Sequence, residues 1–280
     1  MKHRFLFIPL LLAIVACNNN RENAEAMYNQ AQQLYEVGDY EAATHMIDSI
    51  SNLYPQEVET IRRGMLLQCQ VNQKYYEKEL IRIDSLYNNA VSEMNSLKNE
   101  FTLVREGQEQ TLANYVYRDT HSNKAINRSA LKAHVTEKGD FILTSIYYGS
   151  SKIGHTGLSV TTADGTTVST KAIAYDGGKN YRYTTGNMNI EIVSYNLSQC
   201  HDVMQALAET RGKMTIHYTG GKPYKLSLDA ASHNAVSRTY RLAQTMALSD
   251  SLLSQQQYSI KQVEIADRQL MKLEEEEILR

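Results

Sequence analysis

Eight residues, Tyr76, Leu80, Ile83, Tyr87, Ala90, Met94, Leu97 and Phe101, follow one another by steps of four, three, four, three, four, three and four. An α-helix turns once in 3.6 residues, so alternating steps of three and four keep one side of the helix in line, and an apolar side held this long needs another helix against it. The helix has room to form. Between Pro55 and about Asn99 the chain contains no proline, and Gly64 is its only glycine. At 1.5 Å per residue such a helix is roughly 65 Å long. A partner lies at the far end, where residues from about 230 to 280 contain neither glycine nor proline, and Ile260, Val263, Leu270 and Leu273 form a looser seam. Two long helices at opposite ends can pack antiparallel only if the chain between them folds into a compact unit and returns. The expected class is therefore α+β, with an antiparallel coiled-coil stalk and an inserted β head.

The intervening segment has the texture of strands. "LKAHVTEKGDFILTSIYYG" reads as two strands about Lys138-Gly139-Asp140, and "GLSVTTADGTTVSTKAI" as two more about Asp164-Gly165. Asp-Gly between alternating residues is a strong hairpin signal because glycine accepts the left-handed backbone that a tight turn demands. "KNYRYTT" and "NIEIVSY" flank Gly186, "KMTIHYTGGKPYKLSL" turns at Gly220-Gly221, and "TLANYVYRD" reads as the first strand of the head. One helix, at about 197–210, interrupts the series. Seven to nine short strands joined by tight turns imply an antiparallel sandwich or a partly open barrel.

Ahead of the long helix, Met27, Ala31 and Leu34 keep helical spacing, the pattern breaks at Gly38-Asp39, and Ala43, Met46, Ile47, Ile50 and Leu53 resume it before Pro55. This is a helical hairpin. Its small Ala31 and Ala43, the "GDYEAA" corner, Ile47, Ile50 and Pro55 resemble a tetratricopeptide repeat, in which small residues let two helices approach closely. The likeness covers one repeat of about 34 residues.

The N-terminus resembles the leader of a bacterial lipoprotein. Lys2, His3 and Arg4 precede an apolar run at 5–16, too short to span a bilayer, which needs about 20 apolar residues. The run ends in "IVAC", similar to a lipobox, which implies lipidation of Cys17 and a mature chain beginning there. Two or three acyl chains anchor firmly, since each buried methylene contributes about 0.8 kcal/mol. Asn18 and Asn19 provide no aspartate of the kind that retains lipoproteins in the inner membrane, so the outer membrane is expected. Asp48-Ser49-Ile50, Asp84-Ser85-Leu86 and Asp250-Ser251-Leu252 resemble the O-glycosylation sequon of Bacteroidetes-type secreted proteins, which makes Ser49, Ser85 and Ser251 candidate acceptors. The expected divisions are 1–16 leader, 17–23 lipidated tether, 24–55 hairpin, 56–99 long helix, 100–228 β domain and 229–280 C-terminal long helix.

Chemistry is hard to find in the sequence. HExxH, GxSxG, a phosphate loop and CxxC are all missing. His155 in "KIGHTGLS" stands near Ser159 but has no evident third member. Cys200 and His201 diverge by about 100° on a helix, and His217 reads as an ordinary strand residue. With 31 acidic residues against 29 basic ones, two of which are in the leader, the mature chain is slightly acidic and nucleic acid is not an expected partner. Neither a metal nor a cofactor is implied. The unusual aromatic balance, 19 Tyr against 4 Phe and no Trp, favours half-packed, half-wet surfaces. Tyr147, Tyr148, Tyr175, Tyr181, Tyr183 and Tyr224, beside glycine-rich turns, are the candidate binding residues. The expected function is a non-enzymatic, lipid-anchored scaffold or adaptor for envelope proteins; the alternatives are a glycan- or peptide-binding lipoprotein and a hydrolase with an unrecognised site. A flat head with an exposed apolar stripe on the hairpin favours the adaptor, and a recess with convergent polar groups favours ligand binding.

Overall fold

A computed structural model describes residues 11–105, 112–118, 127–210 and 214–278, with side chains other than those of 11–18 and 277. Residues 1–10, within the expected leader, and the side chain of Cys17, the expected lipidation site, lie outside this set. The described chain is mixed helix and sheet and divides into two units, residues 1–86 with 252–280, and residues 87–251.

The first unit is helical. It contains α1 (Leu11–Glu36), α2 (Tyr40–Leu53) and the outer parts of α3 (Val58–Lys98) and of the last helix, α5 (Ala230–Ile278). No glycine or proline occurs between Leu11 and Glu36, and α1 accordingly runs straight through 17–23, the stretch expected as a tether. The hairpin turns where the sequence indicates. Gly38 has φ +80°, and Asp39 caps α2 by accepting a hydrogen bond from Ala42 N at 3.2 Å. Ala31 and Ala43 are fully buried in a core that also holds Ile47, Leu67 and Val71. Glu25 of α1 receives the Arg63 guanidinium at 2.9 and 3.0 Å and the Thr60 hydroxyl at 2.9 Å, which fastens α1 to α3.

Within this unit α3 and α5 run antiparallel, because partners on α5 fall in number as those on α3 rise. Cys69 approaches Gln269, Gln73 donates to Asp267 at 2.7 Å, the ring of Tyr76 meets Tyr258 edge-on at 6.0 Å, and Gln256 donates to Asp84. The expected α3 seam is the buried or half-buried side of that helix. The α5 seam differs from expectation. It comprises Leu252, Gln256, Ser259, Val263, Ala266, Leu270 and Leu273, while Ile260 is 44% exposed. A reading confined to large apolar residues misses Ser259 and Ala266, small residues buried in the seam.

Among its described residues, the second unit contains the inner parts of α3 and α5, ten strands and α4 (Leu197–Glu209). Here Arg241 of α5 donates to Glu93 of α3 at 2.7 Å, and Arg238 pairs with Glu100. The strands are β1 (Phe101–Val104), β2 (Asn114–Tyr117), β3 (Ala130–Thr136), β4 (Phe141–Gly149), β5 (Gly157–Thr161), β6 (Thr167–Ser169), β7 (Asn180–Thr185), β8 (Met188–Asn196), β9 (Thr215–Thr219) and β10 (Tyr224–Leu226). They form two antiparallel sheets, of order β1-β2-β3-β4-β8-β7 and β10-β9-β5-β6, and no closed barrel. The hairpins about Gly139, Gly165, Gly186 and Gly220 are all present. β1 is an addition, since Phe101, the eighth seam residue, already lies in a strand and packs edge-on against Tyr117 at 5.5 Å.

One core serves both sheets. Leu143 and Val193 from the larger sheet join Leu158 and Ile216 from the smaller, with Val203, Met204 and Leu207 of α4 and Val236 and Leu242 of α5. The Tyr218 hydroxyl bonds across from β9 to the carbonyls of Ala130 and Ile146 at 2.8 and 3.0 Å. The β9–β10 turn lies tight on the loop before β5. A Cβ at Gly220 would stand 1.9 Å from Thr156 Oγ1, and one at Gly221 would stand 2.0 Å from the Ile153 carbonyl, so both positions require glycine. That contact holds the 150–156 loop in place.

Candidate functional site: a tyrosine–arginine recess over a sealed polar cluster

Alternation along β8 sends Glu191, Val193 and Tyr195 toward the shared core and Ile190 and Ile192 to the opposite face, where Ile146 joins them. A carboxylate aimed into such a core must find partners or cost several kcal/mol. Glu191, 1% exposed, finds them in the 150–156 loop. The N–H groups of Ile153, Gly154 and His155 each donate to it at 2.8 Å, and His155 Nδ1 lies 3.2 Å away. Gly154, at φ +71°, turns the backbone so that consecutive N–H groups converge. Burial alone pushes the Glu191 pKa upward, but the three N–H bonds and the imidazole outweigh it and hold the carboxyl below its ordinary value.

The imidazole of His155 has no solvent exposure and is stacked on Tyr218 at 4.7 Å. Burial pulls its pKa down against the opposing pull of Glu191, so the neutral ring is favoured. With Nδ1–H donating to the carboxylate, Nε2 accepts from Ser145 Oγ at 3.0 Å, and Tyr195 OH lies 3.3 Å from the same hydroxyl. Burial drives the Tyr195 phenol up to about 12. Carboxylate, imidazole and hydroxyl thus stand in the order of a hydrolytic triad. What differs is access. Ser145 is fully buried in the middle of β4, and the three backbone N–H groups that could stabilise an oxyanion are already committed to Glu191. The cluster joins β4, β8 and the loop.

In the sequence Ser159 stands near His155. Ser159 instead lies in β5 opposite His217 and Ser169, and the partner of the imidazole is Ser145, from the neighbouring sheet. Cys200 is buried, with its thiol pushed up to about 12 by burial, and His201 is exposed beside Asp202. Among the described residues no three His, Cys, Asp or Glu converge as a metal-ligand set, and no helix is long and apolar enough to cross a membrane.

The candidate tyrosines separate into two groups. Tyr147 is a core residue that meets Tyr224 edge-on at 5.0 Å, and Tyr224 is half-buried against Tyr218, so these two do not form a binding surface. Both sit on the core side of their strands, a side that composition alone does not distinguish. Tyr148 is half-buried against Ile146, Ile190 and Ile192. Tyr175, Tyr181 and Tyr183 are exposed, at 61, 37 and 41%. The rings of Tyr181 and Tyr183 lie nearly parallel, 11° apart with centroids 6.3 Å apart, as alternate residues on one face of β7.

Tyr175, Arg182, Tyr183 and Lys152 line a recess of about 310 Å³ whose floor includes Glu191. Arg182 is the hinge between surface and cluster. Its Nε lies 3.9 Å from Glu191, its Nη2 donates to the His155 carbonyl at 3.5 Å, and its guanidinium lies over the Tyr175 ring at 5.5 Å. Asn180 steadies the same carbonyl through Nδ2. A larger cavity of about 880 Å³, between the end of α4, β9 and β10, mixes apolar Met214, Ile216, Leu226 and Leu228 with Thr215, Lys225 and Ser227, and its His233 already donates to the Leu207 carbonyl at 2.7 Å. The smaller recess has the convergent polar groups that orient a ligand.

Of the candidate acceptors, Ser49 donates its hydroxyl to the His45 carbonyl within α2, whereas Ser85 and Ser251 are exposed on α3 and α5. No protein-family model matches the chain, and comparison with curated proteins finds no match.

Proposed function

We propose that this chain is a lipid-anchored protein of the outer membrane that acts by binding rather than by covalent chemistry, with the β unit carrying the ligand site. In this reading Cys17 is the anchor, α1–α2 is a tetratricopeptide-like hairpin, and the α3–α5 pair is a coiled coil. One contrast carries the proposal. The residues capable of acid–base chemistry, Ser145, His155 and Glu191, are sealed, while Lys152, Tyr175 and Arg182 line an open recess.

The test is a glycan and peptide array probed with the full-length protein in detergent. Tyr175→Ala with Arg182→Gln should abolish the signal, and Ser145→Ala, if folded by circular dichroism, should retain it. The reverse pattern would move function into the sealed cluster. For the anchor, Cys17→Ser should transfer the protein to the soluble fraction and end labelling by an alkyne fatty acid; unchanged partition contradicts lipidation.

The adaptor reading has an observation of its own. Val37, Leu53, Val58 and Met65 of the helical unit are all more than half exposed, which provides apolar contact points for a protein partner. Leu53→Asp with Val58→Asp should then remove co-purifying envelope proteins without changing the array signal.

A further inference from the structure

We infer that the recess takes an anionic glycan, a chain whose sugar rings carry carboxylate or sulfate. The inference rests on the ligand-binding reading above and names its ligand class.

The argument is a balance of donors and acceptors. Neutral sugars present hydroxyl groups that donate as readily as they accept, so a site for them needs free acceptors, most effectively a carboxylate. Glu191 is the carboxylate of this recess, and its oxygens are taken: Oε1 accepts from Ile153 N and Gly154 N, and Oε2 from His155 N and Nδ1. Asn189 is engaged too, donating from Nδ2 to the Ser150 carbonyl at 3.0 Å while Oδ1 accepts from Thr184 at 3.4 Å. Apart from the phenol hydroxyls and that of Thr184, which donate as well as accept, the remaining polar side chains of the recess are Lys152 and Arg182, which only donate. A ligand that satisfies them must bring its own acceptors, and an anionic group brings the strongest.

The geometry also favours a sugar over an extended peptide. A pyranose has a flat C–H face that suits an aromatic ring, and the exposed Tyr175 ring, over which the Arg182 guanidinium lies, offers one beside the cation. A peptide strand would instead need the free edge of β7. Ser194 N bonds inward to the Lys179 carbonyl, so alternation turns the backbone of Asn180, Arg182 and Thr184 outward. At Asn180 those groups are consumed: the N–H donates to Asp176 Oδ1, and the carbonyl accepts from Asp176 N and Gly177 N. Two residues, Arg182 and Thr184, remain outward, so a peptide strand has only a short ladder to pair with.

The sealed cluster then has a use. By fixing Glu191 and the His155 carbonyl it holds Arg182 from two sides, so the cation is positioned before the ligand arrives.

Calorimetric titration of the full-length protein in detergent tests this with three probes of equal length: an alginate oligosaccharide, a sulfated galactan oligosaccharide and a neutral cello-oligosaccharide. At least one anionic probe should bind at least about tenfold more tightly than the neutral one, and its affinity should fall with added salt. Which anionic probe is preferred distinguishes carboxylate from sulfate. Lys152→Gln, at an exposed position where the melting temperature should not change, and Arg182→Gln should each weaken binding about tenfold. Neutral-probe binding that matches the anionic probes and is lost in Tyr175→Ala overturns the anionic class and leaves the recess standing. No binding of any probe by the folded protein also overturns it, and the array comparison above then decides the recess separately.

Discussion

The helical unit and the β unit bury their surfaces with different materials. Between α3 and α5 the apolar seam of residues such as Ile83 and Leu252 is interspersed with small and polar contacts: Ser259 and Ala266 are buried, Gln73 bonds Asp267, Gln256 bonds Asp84 and Tyr76 meets Tyr258. A helix satisfies its own backbone, so its packing face tolerates polar pairs spread along its length. The β unit has large residues such as Leu143, Leu158, Met204 and Tyr218 at its centre and concentrates its buried polarity in the cluster of Glu191, His155, Ser145 and Tyr195. Damage in the first should be local and graded. In the second, one residue should matter more than any other.

Glu191→Leu should have the largest effect. It leaves three buried N–H groups and an imidazole without their acceptor, and breaking a buried pair of this kind costs about 3 to 5 kcal/mol. Hydrogen exchange should show protection lost across β4, β5 and β8 together. If protection is lost at the 150–156 loop alone, the cluster is not the keystone of the unit. Ile83→Asp, at a position 2% exposed in the α3 seam, buries an unpaired charge and should cost several kcal/mol. Its damage should stay between α3 and α5 of the helical unit, read as loss of crosslinks between 76–86 and 252–270. Absence of those crosslinks in the wild type contradicts the antiparallel pairing.

Acidity should act on the β unit through His155 and Glu191 in the same direction. Both pKa values are depressed in the folded state, so the unfolded chain binds more protons over each interval. This contribution to stability is complete above the ordinary imidazole value of 6.5 and is lost as pH falls from there through the depressed folded value; a second loss begins below the ordinary carboxyl value of 4.5. Each proton accounts for at most about 1.4 kcal/mol per pH unit. His155→Gln should remove the first loss and keep the second, measured by urea denaturation at stepped pH. The smallest effect on stability, within about 0.5 kcal/mol, is expected for Tyr183→Ala, because its ring is exposed.

Much of the fold was legible because its punctuation is local. Gly38-Asp39, Lys138-Gly139-Asp140 and Asp164-Gly165 each mark a turn that the structure contains, and the α3 seam follows from spacing alone. The candidate site was legible only in part. Tyr175, Tyr181 and Tyr183 could be named from composition, but Tyr147 and Tyr224 belong to the core. Glu191 was missed for a physical reason. In "NIEIVSY" alternation suggests isoleucines inward and glutamate outward, yet β8 is an interior strand of its sheet, buried on both faces, so the glutamate points into the shared core. Ser145 and His155 meet only because the loop before β5 folds back onto β4, a contact between the sheets that sequence spacing does not encode.

The central claim is that ligand binds at the open recess and not at the sealed cluster. Hydrogen exchange of the full-length protein, with and without a saturating alginate or sulfated galactan oligosaccharide, tests it most directly. The account predicts new protection confined to the 150–154 loop and to 175–184, with the amides of β4 around Ser145 unchanged. Protection centred on β4 and β5, or confined to the helical unit, would contradict it.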